Sequence, residues 1–468
     1  MGYSFKTYNL KFALHGIAVM VIFGTLTLGC SPKVNQVEPP IENLENFSTT
    51  GVQVVPGQWW TSFKDAQLNA MIEKALQGNF ELASTWEQYR AARAVVKRES
   101  SFLLPDLEAT IQNAIRRPEP DFAGGENFQQ GLSASYEVDL WGRIRAGLQV
   151  EKFRAEASLW DYQALSMTIT AEMAINWYQW LAANHQLDLI NQQIQTNENI
   201  IKLIKARFGS GQVRAVDILR QTQLMEATRE QKLLIESQMA SLENQLAVLI
   251  GQQPQKEWTF IPDSLPELPE LPATGLPLEL VRRRPDIQRA HHFLLAADRD
   301  MASAVTSRYP RLSFSLEGQV RSNNFRGLFQ DWAYSLAGNL VAPLFYGGRL
   351  NAEVDRTEAV KQQRLYEYGQ TVLLAFQEVE DALVQERKQL ERLEVLKRQL
   401  DLANKTSEQL KISFLNGLSN YLDVLLALDQ EQQLRREFID GRLNLLIIRI
   451  GLYRALGGGF EAQRKIQQ

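Results

Sequence analysis

A single cysteine in 468 residues excludes an intramolecular disulfide framework and a cysteine-rich zinc site. Histidine is nearly as scarce: four residues, at 15, 185, 291 and 292, and none in a metal-binding spacing such as HExxH. The neighbouring His291 and His292 have no role that the sequence assigns. One-signed charge is also missing, since a formal charge of -4 gives no reason to expect a nucleic acid partner. No nucleophile, metal or phosphate-binding constellation appears, which argues against an enzyme and against a bound cofactor. Finally, proline is absent from Gly142 to Phe208 and again from Gly348 to Phe414. What remains has an ordinary composition for a folded chain, 45% apolar and 22% charged.

The longest apolar stretch stands at the amino terminus. Lys6 and Lys11 precede the uncharged run "IAVMVIFGTLTL" (Ile17–Leu28), and Gly29 and Cys30 follow. The run is short of the roughly 20 residues that a spanning helix needs, and the order of basic, apolar and small residues describes a secretory signal. The lone cysteine stands at the expected cut. This resembles a bacterial lipoprotein signal, which implies that Cys30 is acylated and that residues 1–29 are removed. Ser31 follows it, not the aspartate that marks retention at the inner membrane. The alternative is an ordinary signal peptide with an incidental cysteine.

The mature part is duplicated. "FGSGQVRAVDIL" begins at Phe208 and "FLNGLSNYLDVL" at Phe414; Gly211 and Gly417, Asp217 and Asp423, and Leu219 and Leu425 all stand 206 residues apart. "DLWGRI" answers to "FYGGRL" with Arg143 and Arg349 at the same spacing, while Pro105 and Pro310 are 205 apart. Two copies of one unit are expected, separated by a proline-rich stretch that has no helical period.

Each copy has an alternating part and a helical part. Leu132, Ala134, Tyr136, Val138 and Leu140 alternate with polar or small residues, as do Leu312, Phe314, Leu316 and Val320, and Trp332, Tyr334, Leu336 and Leu340. Period two predicts strands with one apolar face. Residues 109–115 are a weaker fourth, and loops at 116–127 and 322–328 make two hairpins. The proline-free spans predict helices of about 100 Å at 1.5 Å per residue. In the first, Leu187, Ile190, Ile194, Asn197, Ile201, Ile204 and Phe208 follow a 3-4-3-4 spacing, and adding 206 gives Leu393 to Phe414 in the same register. That is a duplicated coiled-coil seam. The glycine motifs then read as hairpin tips, with Gly211 and Gly417 ending the descending helices. Ser419 is expected to cap the second returning helix, with Arg214 a poorer cap in the first.

Four amphipathic strands cannot close, and open edges are not viable in lipid, so a barrel requires several chains. "YEVDLWGRIRA", "RRRPDIQRA", "YPRLSF", "APLFYGGRL", "WWTSFKDAQLNAMIEKAL" and the two glycine tips together resemble the TolC-like outer-membrane efflux channels of the lipoprotein branch. The resemblance implies a mostly helical fold with membrane strands. Three chains, each giving four strands, would form a 12-stranded outer-membrane β-barrel continuous with a periplasmic α-barrel of long helical hairpins. It divides the chain into the leader at 1–29, an amino-terminal segment at 30–78, a first repeat at 79–251, a linker at 252–284, a second repeat at 285–457 and a tail at 458–468. It implies a homotrimer in the outer membrane of a Gram-negative bacterium, lipid-anchored through Cys30. Its partners would be a periplasmic adaptor and an inner-membrane transporter of the resistance–nodulation–division type, and it would act as a passive exit duct.

The resemblance also implies that Asp217 and Asp423 face a narrowed pore at the periplasmic tips, with Val216 and Leu422 as an apolar constriction. The residues alone leave a second reading of those acids, since an acid one turn into a helix favours the macrodipole. Two other functions stay open at this point: the outer-membrane duct of a protein-secretion system, and a trimeric coiled-coil surface protein.

Overall fold

The computed structural model describes residues 45–52, 56–115, 126–254, 264–275, 277–322 and 332–458. The leader with Cys30, most of both expected strand loops, part of the linker and the tail beyond 458 lie outside the described residues. A 3-10 turn at Trp59–Phe63 leads into α1 (Ala66–Gly78) and α2 (Phe80–Ser101). Strands β1 (Asp106–Ile115) and β2 (Glu126–Val138) follow, then the long α3 (Arg143–Gly209) and its return α4 (Ala215–Leu249). After the linker come α5 (Pro277–Arg283), α6 (Pro285–Thr306), β3 (Arg311–Ser322), β4 (Trp332–Val341), α7 (Arg349–Leu415) and α8 (Tyr421–Ala455). Helices α3 and α7 have 67 residues each and α4 and α8 have 35 each, with starts 206 residues apart. Helices α2 and α6 have 22 each, with starts 205 apart. No described helix is long and apolar enough to cross a membrane.

Contacts divide the chain into two compact units. The first holds Gln88–Ser158 and Arg289–Gly369, hence the whole sheet and one end of each adjoining helix. Its strands form an antiparallel meander in the order β1-β2-β3-β4. Strand β1 starts at Asp106, three residues before the expected stretch, and β2 starts before Gly131. Both gains come from pairing: Asp106 faces Ser135 and Gln112 faces Gln129, so polar residues that blur the alternation are held by their partners. The register puts Ala134 opposite Leu316, Tyr136 opposite Phe314, Leu316 opposite Leu336 and Val320 opposite Trp332. One face is therefore mainly apolar, with Asn113 and Gln130 interrupting it, and the other carries Ser, Gln and Glu, because successive side chains alternate across a strand. Much of the apolar face is bare: Leu107, Ile111, Leu336 and Leu340 are each at least 68% exposed and Tyr334 is 88% exposed, whereas Val320 is buried.

The second unit comprises the described parts of Ile41–Glu87, Leu159–Gln288 and Gln370–Gln468. Its core at one end is aromatic. Trp59 stacks on Tyr453 at 5.6 Å, Phe63 packs on Tyr178, and the Trp177 indole N–H donates to Asp65 at 2.7 Å. Asp65 also caps α1 by accepting from the Leu68 amide at 2.9 Å. Beside it the Arg449 guanidinium, 1% exposed, forms two 2.7 Å bonds with Glu386 and donates to the carbonyls of Pro269 and Glu270. That pair pins the described linker to α7 and α8.

Candidate functional site

The expected site lies at the hairpin tips of the second unit. Helix α3 ends with the Gly211 amide donating to the Phe208 carbonyl at 2.9 Å and the Gln212 amide to the Arg207 carbonyl at 3.0 Å. Helix α7 ends the same way, from Gly417 to Phe414 and from Leu418 to Ser413. These are paired six-to-one and five-to-two closures, and they require a left-handed residue. Gly211 and Gly417 supply it, with φ of 73° and 74°.

The two returning helices start differently. Asn420, not Ser419, caps α8, accepting from the Asp423 amide at 3.2 Å. Ser419 instead donates to the Leu410 carbonyl at 3.4 Å. The 206-residue offset places Asn420, not Ser419, in the position of Arg214, so the repeat itself held this correction. In α4, Asp217 reaches back to the Arg214 amide at 3.2 Å and takes two bonds from the same residue's guanidinium. Asp217 is 3% exposed. The Asp423 carboxylate is part-exposed and has no hydrogen-bond partner among the described residues. Val216 is exposed, whereas Leu422 packs on a cluster of Ile204, Phe414, Tyr421, Val424 and Leu425. The structure thus brings Leu422 to a packed core and leaves Val216 outside it.

Three side chains unmarked by the sequence join the two tips. Arg207 donates to the carbonyls of Phe414 and Leu415 at 3.1 and 2.9 Å, and lies 4.9 Å from the Phe414 ring. Tyr421 donates its hydroxyl to Gln221, and Gln221 donates to Asn197 at 3.1 Å. Burial and then the charge of Asp217 hold the Tyr421 phenol protonated far above its ordinary range. Asn197 also donates to Thr228 at 3.3 Å and accepts from Gln432 at 3.4 Å. So the asparagine in the seam of α3 is the centre of a buried polar layer joining α3, α4 and α8. A buried polar residue at a seam position fixes register. A seam asparagine opposite glutamines in the neighbouring helices is the signal that could have marked this layer. Phe208, expected in the first seam, is 48% exposed, while Phe414 is 7% exposed beneath Arg207 and Tyr421.

Among the described residues, no group of three or more His, Cys, Asp or Glu could hold a metal ion. His291 and His292 sit in the first unit, 5.8 Å apart, against Tyr368 and Phe153 respectively. Burial lowers both imidazole pKa values, and His291 lowers that of His292 further while Glu156 opposes it.

Known proteins share this arrangement. The sequence model of the family described as outer membrane efflux protein matches residues 71–252 and 276–458. The pyoverdine export outer membrane protein OpmQ of Pseudomonas aeruginosa is 31% identical over 87% of this chain and 88% of its own. The toluene efflux pump outer membrane protein TtgF of Pseudomonas putida is 31% identical over 86% and 85%. Among solved structures, the outer-membrane channel OprN superposes with a TM-score of 0.82 at 25% identity, over 89% of this chain and 98% of that one.

Proposed function

Because the chain belongs to the outer membrane efflux protein family, a family of channels and not of enzymes, we propose that it works as a homotrimeric, lipid-anchored exit duct. The outer-membrane efflux role itself follows from the family and its relatives. One observation carries the finer reading: a four-stranded sheet whose apolar face is bare at Leu107, Ile111, Leu316, Tyr334, Leu336 and Leu340 and whose edge strands β1 and β4, ten residues each, are both open. Open edges are a liability in water and are not viable in lipid, and a bare apolar face is unfavourable in water. Strand β4 runs antiparallel to β1 in this meander, so β4 of one copy can extend onto β1 of the next with regular pairing. Three copies give twelve strands, within the range of outer-membrane barrels. The apolar face then meets lipid and the Ser, Gln and Glu face meets water.

In this reading the repeats at 79–251 and 285–457, joined by the linker at 252–284, supply two helical hairpins per chain and six around the axis. The tips would close the periplasmic end and meet an adaptor that leads to an inner-membrane transporter of the resistance–nodulation–division type. Cargo would be small molecules, in keeping with relatives named for pyoverdine and toluene. Selection would lie with the transporter, because a wide water-filled tunnel need not discriminate. Light scattering of the purified protein, corrected for detergent, should return three chains, and those particles should conduct in a planar bilayer. A stable monomer that conducts ions would overturn the reading.

A further inference from the structure

Helices α2 and α3 of the first unit stand on either side of a cleft of about 800 Å³. Arg90, Arg93 and Lys97 line it from α2, spaced by three and four residues and so on one helix face, and Lys152 lines it from α3. Glu156 is the one acid among the described lining residues. Its carboxylate forms no ion pair among the described residues, and its charge bears on His292 of α6. The Arg93 guanidinium lies 5.9 Å from the Tyr89 ring and has no carboxylate partner among the described residues. The ammonium groups of Lys97 and Lys152 have neither a hydrogen bond nor an ion pair there.

The internal repeat shows that packing these two helices does not call for such a cluster. Helices α6 and α7 are the counterparts of α2 and α3, at offsets of 205 and 206. Leu295, Asp298 and Ala302 stand where α2 has Arg90, Arg93 and Lys97, and Glu358 stands where α3 has Lys152. Asp298 is buried and bonds Lys361 of α7 at 2.7 Å, and Arg356 of α7 lies 3.8 Å from Asp300 of α6. The second repeat thus joins its two helices with paired charges, whereas the first gathers charges of one sign and leaves them exposed. Like charges four residues apart on a helix, as Arg93 and Lys97 are, repel and destabilise it. Nor is the cluster a by-product of a basic chain, since the formal charge is -4.

A cleft lined by one sign of charge focuses its field and concentrates ions of the other sign. The arginine fork matches pairs of phosphate oxygens, and lysine binds phosphate as a point charge. Position agrees with that chemistry. Ser100 lines one end of the cleft and β1 begins at Asp106, so this end lies next to the sheet. In the exit-duct reading the apolar face of the sheet meets lipid, and bilayer headgroups lie just beyond the hydrocarbon zone. We propose that the cleft between α2 and α3 is a binding site for a phosphate-bearing anion, whose oxygens are held by Arg93, Lys97 and Lys152 with Arg90 alongside. That chemistry has two sources, the headgroup of an anionic phospholipid and a soluble phosphate compound. Only the lipid source rests on the exit-duct reading, because the cleft lies within one chain.

The test uses the full chain in a neutral detergent at low salt, where exposed charges are least screened. Calorimetry with inorganic pyrophosphate reads the soluble source. Native mass spectrometry from micelles doped with phosphatidylglycerol counts the lipid retained per chain. One probe or both should bind saturably, at one per chain. Arg93→Ala with Lys97→Ala should weaken that binding at least tenfold. Lys202→Ala with Lys205→Ala, which removes the same charge from exposed positions near the other end of α3, should leave it unchanged. Without a probe the Arg93, Lys97 variant should melt no lower than the wild type, since it loses repulsion and no partner, which also shows that it folds. The probe that binds should then raise the melting temperature of the wild type and not of that variant. Binding of pyrophosphate alone supports the site with a soluble ligand, and retention of phosphatidylglycerol alone supports it with a headgroup. Binding of neither probe, or equal loss in the two double variants, overturns the site. A chain that neither trimerises nor conducts overturns the exit-duct reading and leaves the pyrophosphate result standing.

Discussion

Arg207 caps the end of a helix in the other repeat: its guanidinium donates to the last carbonyls of α7, at Phe414 and Leu415, and covers the Phe414 ring. The offset puts Ser413 in the matching position, so the second tip has no such clamp for the first. A cation at a helix C-terminus satisfies orphan carbonyls and favours the dipole. Arg207→Ala should leave global stability within about 1 kcal/mol, since the bonds are part-exposed. Amide exchange at Gly417 and Leu418 should nevertheless speed up, and resting conductance should rise. Unchanged exchange at those amides would show that the clamp does not hold the tip.

The two tip aspartates should not behave alike. Asp217 is spent on Arg214, while the Asp423 carboxylate is unpartnered among the described residues. Asp217→Ala removes a capping interaction, at a cost of about 1 kcal/mol. Asp423→Ala removes a free carboxylate, and it should produce the larger fall in cation selectivity, because a ring of acids attracts cations. The double variant should raise resting conductance and sensitise cells to large antibiotics. Wild-type conductance and selectivity in the double variant would relegate both acids to helix starts.

Long, periodic or punctuated features were legible in the sequence. Proline-free spans and glycine spacing located α3, α7 and both tips, because helix period and left-handed glycine are local properties. The early start of β1 was not legible, since Asp106 and Gln112 become strand residues only through Ser135 and Gln129 across the ladder. Likewise the cap at Asn420 needed the strict offset, and the Arg207 clamp depends on two segments more than 200 residues apart. Phe208 and Phe414 look equivalent in sequence, yet only Phe414 has a clamp and a tyrosine over it. The sequence pattern reads what one segment does for itself, whereas the differences between the repeats arise where segments meet.

The buried pair of Arg449 and Glu386 is the mainstay of the linker. Both are at most 7% exposed in side chain, and the guanidinium uses four of its five N–H donors on Glu386, Pro269 and Glu270. Removing one partner leaves a buried charge uncompensated, at a cost of about 3–5 kcal/mol. Glu386→Ala should therefore lower the melting temperature sharply and expose the linker to protease. The combined Glu386→Leu, Arg449→Met chain should recover much of that loss. A Glu386→Ala chain as stable as the parent would show that the pair is not needed.

Lipid attachment at Cys30 rests on the leader's pattern of basic residues, apolar run and lone cysteine. Cells given labelled palmitate should label the wild type and not Cys30→Ser. Because the barrel alone should hold the protein in the outer membrane, that variant should still fractionate with it. Equal labelling of the two proteins would remove the anchor from the model.

His291 and His292 should make the first unit acid-sensitive. Burial depresses both pKa values, His291 lowers that of His292 further, and only the Glu156 charge favours protonation at His292. His292 Nδ1 is buried without a hydrogen-bond partner. Tyr368 also touches His291, but its phenol pKa is raised by burial and it stays neutral throughout. The folded state therefore prefers neutral imidazoles, whereas the unfolded chain binds protons near pH 6.5. By linkage, the contribution to stability is fully present above about pH 6.5 and is lost as pH falls through that value towards the lower folded-state pKa. Carboxylates elsewhere also titrate on the acid side, so the informative quantity is a difference between two proteins. Between pH 8 and pH 5 the melting temperature of the wild type should fall further than that of His291→Gln with His292→Gln, the gap opening below pH 6.5. Parallel melting profiles across that range would mean that the two rings are solvated in the assembled protein and carry no such penalty.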